Sequence, residues 1–252
     1  MFRELDALSP LLRSFGVPRD GTLVVHSAFK SLGQQGHRVE GVVEALLECV
    51  HDGDLFMPTM TWRTVTPLQP TWDEIATGSH TGVLTEIFRT RYAVARSIHP
   101  THSVAGWGPN AAKLLSRHQF DTTPVFANSP YALMRDYETY ILMLGVGLES
   151  CTAIHLAEET INPDLYLLPK ESVEVYDCSD RNGIVHKVWT RRHRRLDRDF
   201  PRFAISLSNQ RKLVTGTIGA CPYTLVALRH LLRDVFAALI QDPLATLRKF
   251  EP

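Results

Sequence analysis

Apolar and polar positions along the chain switch between two rhythms, and the switching predicts a succession of strands and helices. Residues 4–15 carry apolar positions at helical spacing, while TLVVHSAF (22–29) has the β-branched density of a buried strand. GVVEALLECV (41–50) returns to helical spacing, and DLFMPTMTW (54–62) is strand-like until Pro58 limits it. TGVLTEIFRTR (81–91) reads as a helix with Thr81 or Gly82 at its head. RSIHPTHSVAGWG (96–108) reads as extended, AAKLLSRH (111–118) as a helix, TYILMLGVG (139–147) as a buried strand and TAIHLAEET (152–160) as the next helix. VEVYDCSDRNGIVHKVWTRRHRR (173–195) reads as a hairpin turning at Arg181-Asn182-Gly183, where Asn-Gly suits a tight turn. TLVALRHLLRDVFAALI (224–240) reads as one long amphipathic helix. Residues 63–80 are polar and rich in Thr and Pro, too long for a passive connection and therefore a candidate binding loop.

The succession predicts an α/β fold: a single-domain layered α/β sandwich with a mixed, parallel-rich central sheet, a late antiparallel addition and flanking helices. No linker divides the 252 residues, so one domain is expected over 1–252.

Composition narrows the function by exclusion. Lys and Arg number 27 against 27 Asp and Glu, so no global field points to nucleic acid or to a membrane surface. No apolar run approaches the length of a membrane span, and the acidic residues in the opening segment do not fit a signal peptide. Cys49, Cys151, Cys178 and Cys221 lie far apart without CxxC spacing, which suits reduced thiols in a cytoplasmic protein. Among eleven histidines none pairs at helical HxxxH spacing, and no metal is expected.

In such an architecture ligands sit beyond the carboxyl ends of the strands. Three of those ends carry polar, reactive residues: His26-Ser27, Thr59-Met60-Thr61 and the loop into His155. His155 lies one turn into a helix that follows the exit Gly145-Val146-Gly147, with Glu158 and Glu159 three and four places on. A carboxylate at that spacing can fix the proton on one ring nitrogen and leave the other as a general base. Contact with the carboxylate is expected to outweigh the partial positive charge at the helix head and hold His155 near the neutral range.

The stretches LVVHSAFKSLG, DLFMPTMTW, TGVLTEIF, RSIHPTHSVAGWGPNA, NSPYALM, LGVGLESCTAIHLAEE and TGTIGACPYTLV occur in the order and spacing of a known family. From about residue 20 to 243 the chain resembles the aminoglycoside 3-N-acetyltransferases. That resemblance implies an acetyl-coenzyme A dependent N-acetyltransferase whose α/β fold is unrelated to the GNAT acetyltransferases. It implies that His155 is the base acting on the attacking amine. It further implies that Ser27, Lys30, Ser31, Thr101, His102 and Ser103 contact coenzyme A. Charge developing on the thioester oxygen needs donors, for which Ser103 or backbone amides near Thr152 are candidates.

Two departures from the family pattern matter. Drug-modifying members carry a carboxylate-rich stretch after the tryptophan matching Trp189, and one of its acids pairs with the catalytic histidine. Here the stretch reads WTRRHRRLDRDF, so either Asp197 or Asp199 takes that part or Glu158 acts alone. Cys151 also stands just before Thr152, where a small polar residue is expected. This leaves open a covalent route on a Cys-His pair beside direct attack. The basic run argues for a neutral or anionic amine as acceptor, because a polycationic aminoglycoside calls for carboxylates. Aminoglycosides are the alternative, with Asp73 the first acid to suspect and His193 a second candidate acceptor contact. A non-catalytic coenzyme A binder and a hydrolase using Ser27 or Ser103 are the other readings. The expected partner is a small-molecule amine, with no nucleic acid or membrane, in a monomer or homodimer.

Overall fold

The computed structural model describes residues 8–248. Among these, the strands are β1 (Thr22–Ser27), β2 (Asp54–Pro58), β3 (Thr71–Asp73), β4 (Ala95–Arg96), β5 (Val104–Trp107), β6 (Thr139–Leu144), β7 (Glu174–Ser179), β8 (Val185–Thr190), β9 (Leu213–Ile218) and β10 (Cys221–Ala227). The α-helices are α1 (Leu8–Phe15), α2 (Lys30–Gln34), α3 (Val39–Cys49), α4 (Val83–Arg91), α5 (Ala111–Leu115), α6 (Pro130–Leu133), α7 (His155–Ile161), α8 (Pro163–Tyr166), α9 (Arg202–Asn209) and α10 (Leu228–Gln241). Residues 4–7 of the first expected helix lie outside the described residues.

The seven-stranded sheet has the order β4-β5-β2-β1-β6-β10-β9. β1 runs parallel to both β2 and β6, and these three strands are buried almost throughout. Burial on both faces is why their sequences are near-continuous apolar runs. Leu23, Val25, Leu55 and Met57 point to the side covered by α1, α3 and α4. Val24, Phe56, Ile141 and Met143 point to the side covered by α7, α9 and α10. The result is a layered sandwich with a mixed central sheet, as the apolar rhythm predicts.

The antiparallel additions differ from expectation. They flank the parallel strands on both sides, with β5 and β4 at one edge and β10 and β9 at the other. The hairpin around Gly183 (φ +79°) forms as read, but it joins β3 in a separate three-stranded sheet. Thr224–Ala227, read as the start of the last helix, ends strand β10 instead, because pairing with β6 and β9 outweighs the helical spacing of its apolar residues. The Thr- and Pro-rich stretch is not bare loop: Thr71–Asp73 pairs with β7.

Parallel pairing brings the carboxyl ends of β1, β2 and β6 side by side. Gly145 follows β6 at φ +73°, and a Cβ there would stand 2.4 Å from the carbonyl oxygen of Ala28. Only glycine allows the two strand exits to touch at that point.

Candidate active site

His155 begins α7, just past the β6 exit, and its Nδ1 lies 2.7 Å from Glu158 Oε2. The Glu158 side chain is fully buried, whereas that of His155 retains 16% of its exposure. Glu158 also accepts hydrogen bonds from Thr246 Oγ1 (2.7 Å) and from Arg198 Nε (3.1 Å to Oε2). Burial alone would raise this carboxyl, but His155, Arg198 and Thr246 together hold it below the usual carboxylate range. With Nδ1 taken by Glu158, Nε2 is the nitrogen left for chemistry. His155 departs from expectation in one respect. Burial is the largest influence on it and, with Arg198, outweighs Glu158, so its pKa is lowered from 6.5. It is a weaker base than expected, but it is unprotonated at neutral pH.

Glu159 does not share this ring. It turns to His193, whose Nε2 lies 2.6 Å from Glu159 Oε1, and it accepts from the backbone N–H of Val125 at 3.0 Å. Burial pushes Glu159 up to about 8. The His155 and His193 rings pack at 4.1 Å between centroids. Sequence spacing alone could not reveal the Glu159–His193 pair, because its members are 34 residues apart.

The HPTHS segment is folded by its own first histidine. His99 is fully buried, and its Nδ1 accepts from the backbone N–H of Thr101 (3.2 Å) and of His102 (3.0 Å). The backbone N–H of Thr61 donates to Thr101 O (3.0 Å), which docks the segment on the exit of β2. Thr101 and His102 thereby face a cavity. Ser103 does not. It is buried, hydrogen-bonded to Thr59 and Arg96, and lines neither cavity.

Two cavities meet at His155. The smaller, about 390 Å³, is lined by His26, Ser27, Thr81, Ser150 and Thr152 among others. The larger, about 1030 Å³, is lined by Thr101, His193, Arg194, Arg195 and Leu196 among others. His155, His102, Trp62 and Arg63 line both. Ser27 therefore belongs to the smaller cavity, and its buried Oγ has no hydrogen-bond partner among the described residues. Lys30 and Ser31 head the next helix and line neither cavity; Lys30 is exposed at the surface.

Two expected acids are elsewhere. Asp197 stands 3.7 Å from Arg248, and the pairing with His155 falls to Glu158 instead. Asp73 caps its own turn, accepting from the backbone N–H of Ile75 and Ala76, and lines neither cavity. The arginines of the basic run are mostly engaged. Arg191 pairs with Asp164, Arg192 with Glu174 and Arg198 with Glu158. Cys151 lines the smaller cavity, but burial pushes its thiol up to about 12, far from a thiolate at neutral pH. His26 stands at one of the polar strand ends read from the sequence, whereas His80 and Trp62 carry no such signal; His80 packs edge-on to Trp62 at 4.8 Å. Among the described residues no group of three or more His, Cys, Asp or Glu is placed to hold a metal ion, and no helix is long and apolar enough to cross a membrane.

A family model described as aminoglycoside 3-N-acetyltransferase matches residues 24–239. The chain is 27% identical over 180 residues to the SPbeta prophage-derived aminoglycoside N(3')-acetyltransferase-like protein YokD of Bacillus subtilis (strain 168), covering 63% of this chain and 66% of that one. It is 31% identical over 158 residues to aminoglycoside N(3)-acetyltransferase IV of a Salmonella species, covering 62% and 59%. Either match spans less than two thirds of the curated relative. Among solved structures, apo aminoglycoside acetyltransferase AAC(3)-IVa superposes with a TM-score of 0.75 at 25% identity, over 97% of this chain and 91% of that one. Aminoglycoside acetyltransferase AAC(3)-IIb shares the fold with a TM-score of 0.79 at 20% identity, over 94% and 97%.

Proposed function

Because the chain belongs to the aminoglycoside 3-N-acetyltransferase family, we propose that it moves an acetyl group from acetyl-coenzyme A to a primary amine by direct attack. The observation that carries this reading is the position of His155, braced by Glu158 and lining both cavities at once. The smaller cavity, with Ser27 at the β1 exit, takes the thioester arm, and the larger one takes the acceptor. The amine nitrogen, neutral after losing one proton to solvent, forms a bond to the thioester carbon while His155 Nε2 takes its second proton. As the C–S bond breaks, that proton passes to the departing sulfur, giving amide and free thiol. Direct transfer is favoured over an acetylated Cys151 because the thiol stays protonated and cannot serve as nucleophile.

The relatives' names support an aminoglycoside acceptor better than the small neutral or anionic amine expected from the basic run. The ion pairs of Arg191, Arg192 and Arg198 weaken the charge argument further, since those cations are already matched. One observation keeps the second acceptor reading. Among the described residues, Arg63, Arg194 and Arg195 line the larger cavity without a carboxylate partner, and no Asp or Glu lines it. A polycation there meets uncompensated positive charge.

The deciding experiment follows thiol release from acetyl-coenzyme A with gentamicin, apramycin and sisomicin, and in parallel with neutral and carboxylate-bearing primary amines. Release that depends on an aminoglycoside supports the first acceptor, and release only with anionic amines supports the second. Amine-independent release would make the protein a hydrolase. Release with none of them, together with retained coenzyme binding, would make it a non-catalytic binder.

A further inference from the structure

β1 alternates its side chains across the sheet, and His26 falls on the same face as Val24. That face is the one covered by Cys151, Ile154 and α7, so His26 and His155 approach the same space from the sheet and from the helix layer. His26 is 4% exposed, yet its Nε2 has no hydrogen-bond partner among the described residues. An unpaired buried nitrogen costs stability, and a fold retains that cost where something else uses the group. The ring lines the smaller cavity and not the larger, together with His155 and Thr152.

We propose that His26 donates a hydrogen bond from Nε2 to the thioester carbonyl oxygen of bound acetyl-coenzyme A, an inference that rests on the acetyl-transfer reading above. A thioester offers this nitrogen only acceptors, so the imidazole serves it as a donor. As the amine attacks, the C=O π bond opens and negative charge collects on the oxygen. A fixed N–H on the sheet side strengthens its bond as that charge grows. The attacking nitrogen reaches the same carbon from the side of His155 and the larger cavity. Burial pushes His26 down to about 4, so the ring is neutral with a single N–H throughout the working pH range. The donor therefore needs no titration to operate, unlike the base.

The test compares wild type, His26→Leu and His26→Gln by calorimetric titration with acetyl-coenzyme A and with coenzyme A, which lacks the carbonyl. Wild type should prefer acetyl-coenzyme A. His26→Leu should lose about 3- to 10-fold of acetyl-coenzyme A affinity while its coenzyme A affinity stays unchanged. Its kcat should fall about 10²–10³-fold, the usual effect of removing one such donor. His26→Gln keeps an N–H and should fall between the two. Ligand-free His26→Leu should melt no lower than wild type, because it removes an unpaired polar atom. Equal losses for both ligands would move the contact to the pantetheine arm and overturn the assignment to the thioester. No change for either ligand would make His26 a core residue. Wild-type protein that binds neither ligand would sink the acetyl-transfer reading itself, a failure distinct from that of His26.

Discussion

The imidazoles of His155 and His193 pack with centroids 4.1 Å apart and planes inclined by 31°, each held from behind by one of two adjacent glutamic side chains. Successive residues on a helix diverge by about 100°. Glu158 therefore stays under the ring three residues before it, and Glu159 swings out to a ring contributed by the segment after β8. Two adjacent acids on α7 hold two histidines from distant parts of the chain.

His155→Ala should lower kcat by about 10²–10⁴-fold, the range for loss of a general base, with coenzyme A binding retained in a thermal-shift assay. Glu158→Gln should cost less, because the ring remains. The base is the neutral imidazole and its pKa is lowered from 6.5, so kcat should already be on its plateau at pH 7. A kcat that still climbs through pH 8 in wild type and in His155→Ala alike would assign the dependence to another group.

Cys151→Ser should keep most of the activity. Intact-mass measurement of the wild type with acetyl-coenzyme A alone should show no acetyl adduct. An adduct that maps to Cys151 and disappears on adding amine would replace direct attack by a covalent route.

Acid should unfold the protein steeply. Burial lowers His26 and His118 to about 4 and holds His99 and His102 well below 6.5. Below pH 6.5 the unfolded chain binds protons that the native one refuses, so this contribution is complete above 6.5 and lost as pH falls toward 4. Urea midpoints measured from pH 7 to 4 should drop fastest in that window, and His118→Gln should flatten the drop. A midpoint constant down to pH 4.5 would contradict the burial of these rings.

Arg198→Met should destabilise the fold toward the low end of the ~3–5 kcal/mol range for breaking a buried pair, since it leaves Glu158 without its cation. Arg198 also lowers His155, so its removal should move the acidic limb of the kcat profile to higher pH. Urea unfolding and a pH series on the same variant check both. Loss of activity with no shift of the limb would confine Arg198 to a structural part.

The apolar rhythm made the central strands and most helices readable, because TLVV and YILML are buried on both faces and need little else to define them. β3 and the first half of the β9–β10 hairpin were not readable. Thr71–Asp73 gains its strand character from β7, about a hundred residues later, and Leu213–Ile218 from β10. The same limit applies at the site. The His155–Glu158 pair is local and visible as a spacing, whereas Thr246, Arg198 and the His193–Glu159 pair depend on chain crossings. Ser103 stands in a segment matching the family, yet only its packing against Thr59 and Arg96 shows that its hydroxyl is already occupied.

Arg96 gives the Thr- and Pro-rich stretch a different part from that of a mobile binding loop. Its guanidinium, lodged over Trp72, donates to the carbonyls of Glu74 (3.1 Å) and Thr77 (2.6 Å), while the Glu74 carboxylate is taken by Arg181. The segment is thus stapled to both sheets at once, and it forms a wall of the molecule, not a door. The hydrogen-bonded amides of Asp73, Glu74 and Thr77 should be among the slower-exchanging ones. Trp62, 40% exposed with Arg63 stacked over it, lines both cavities where this wall begins.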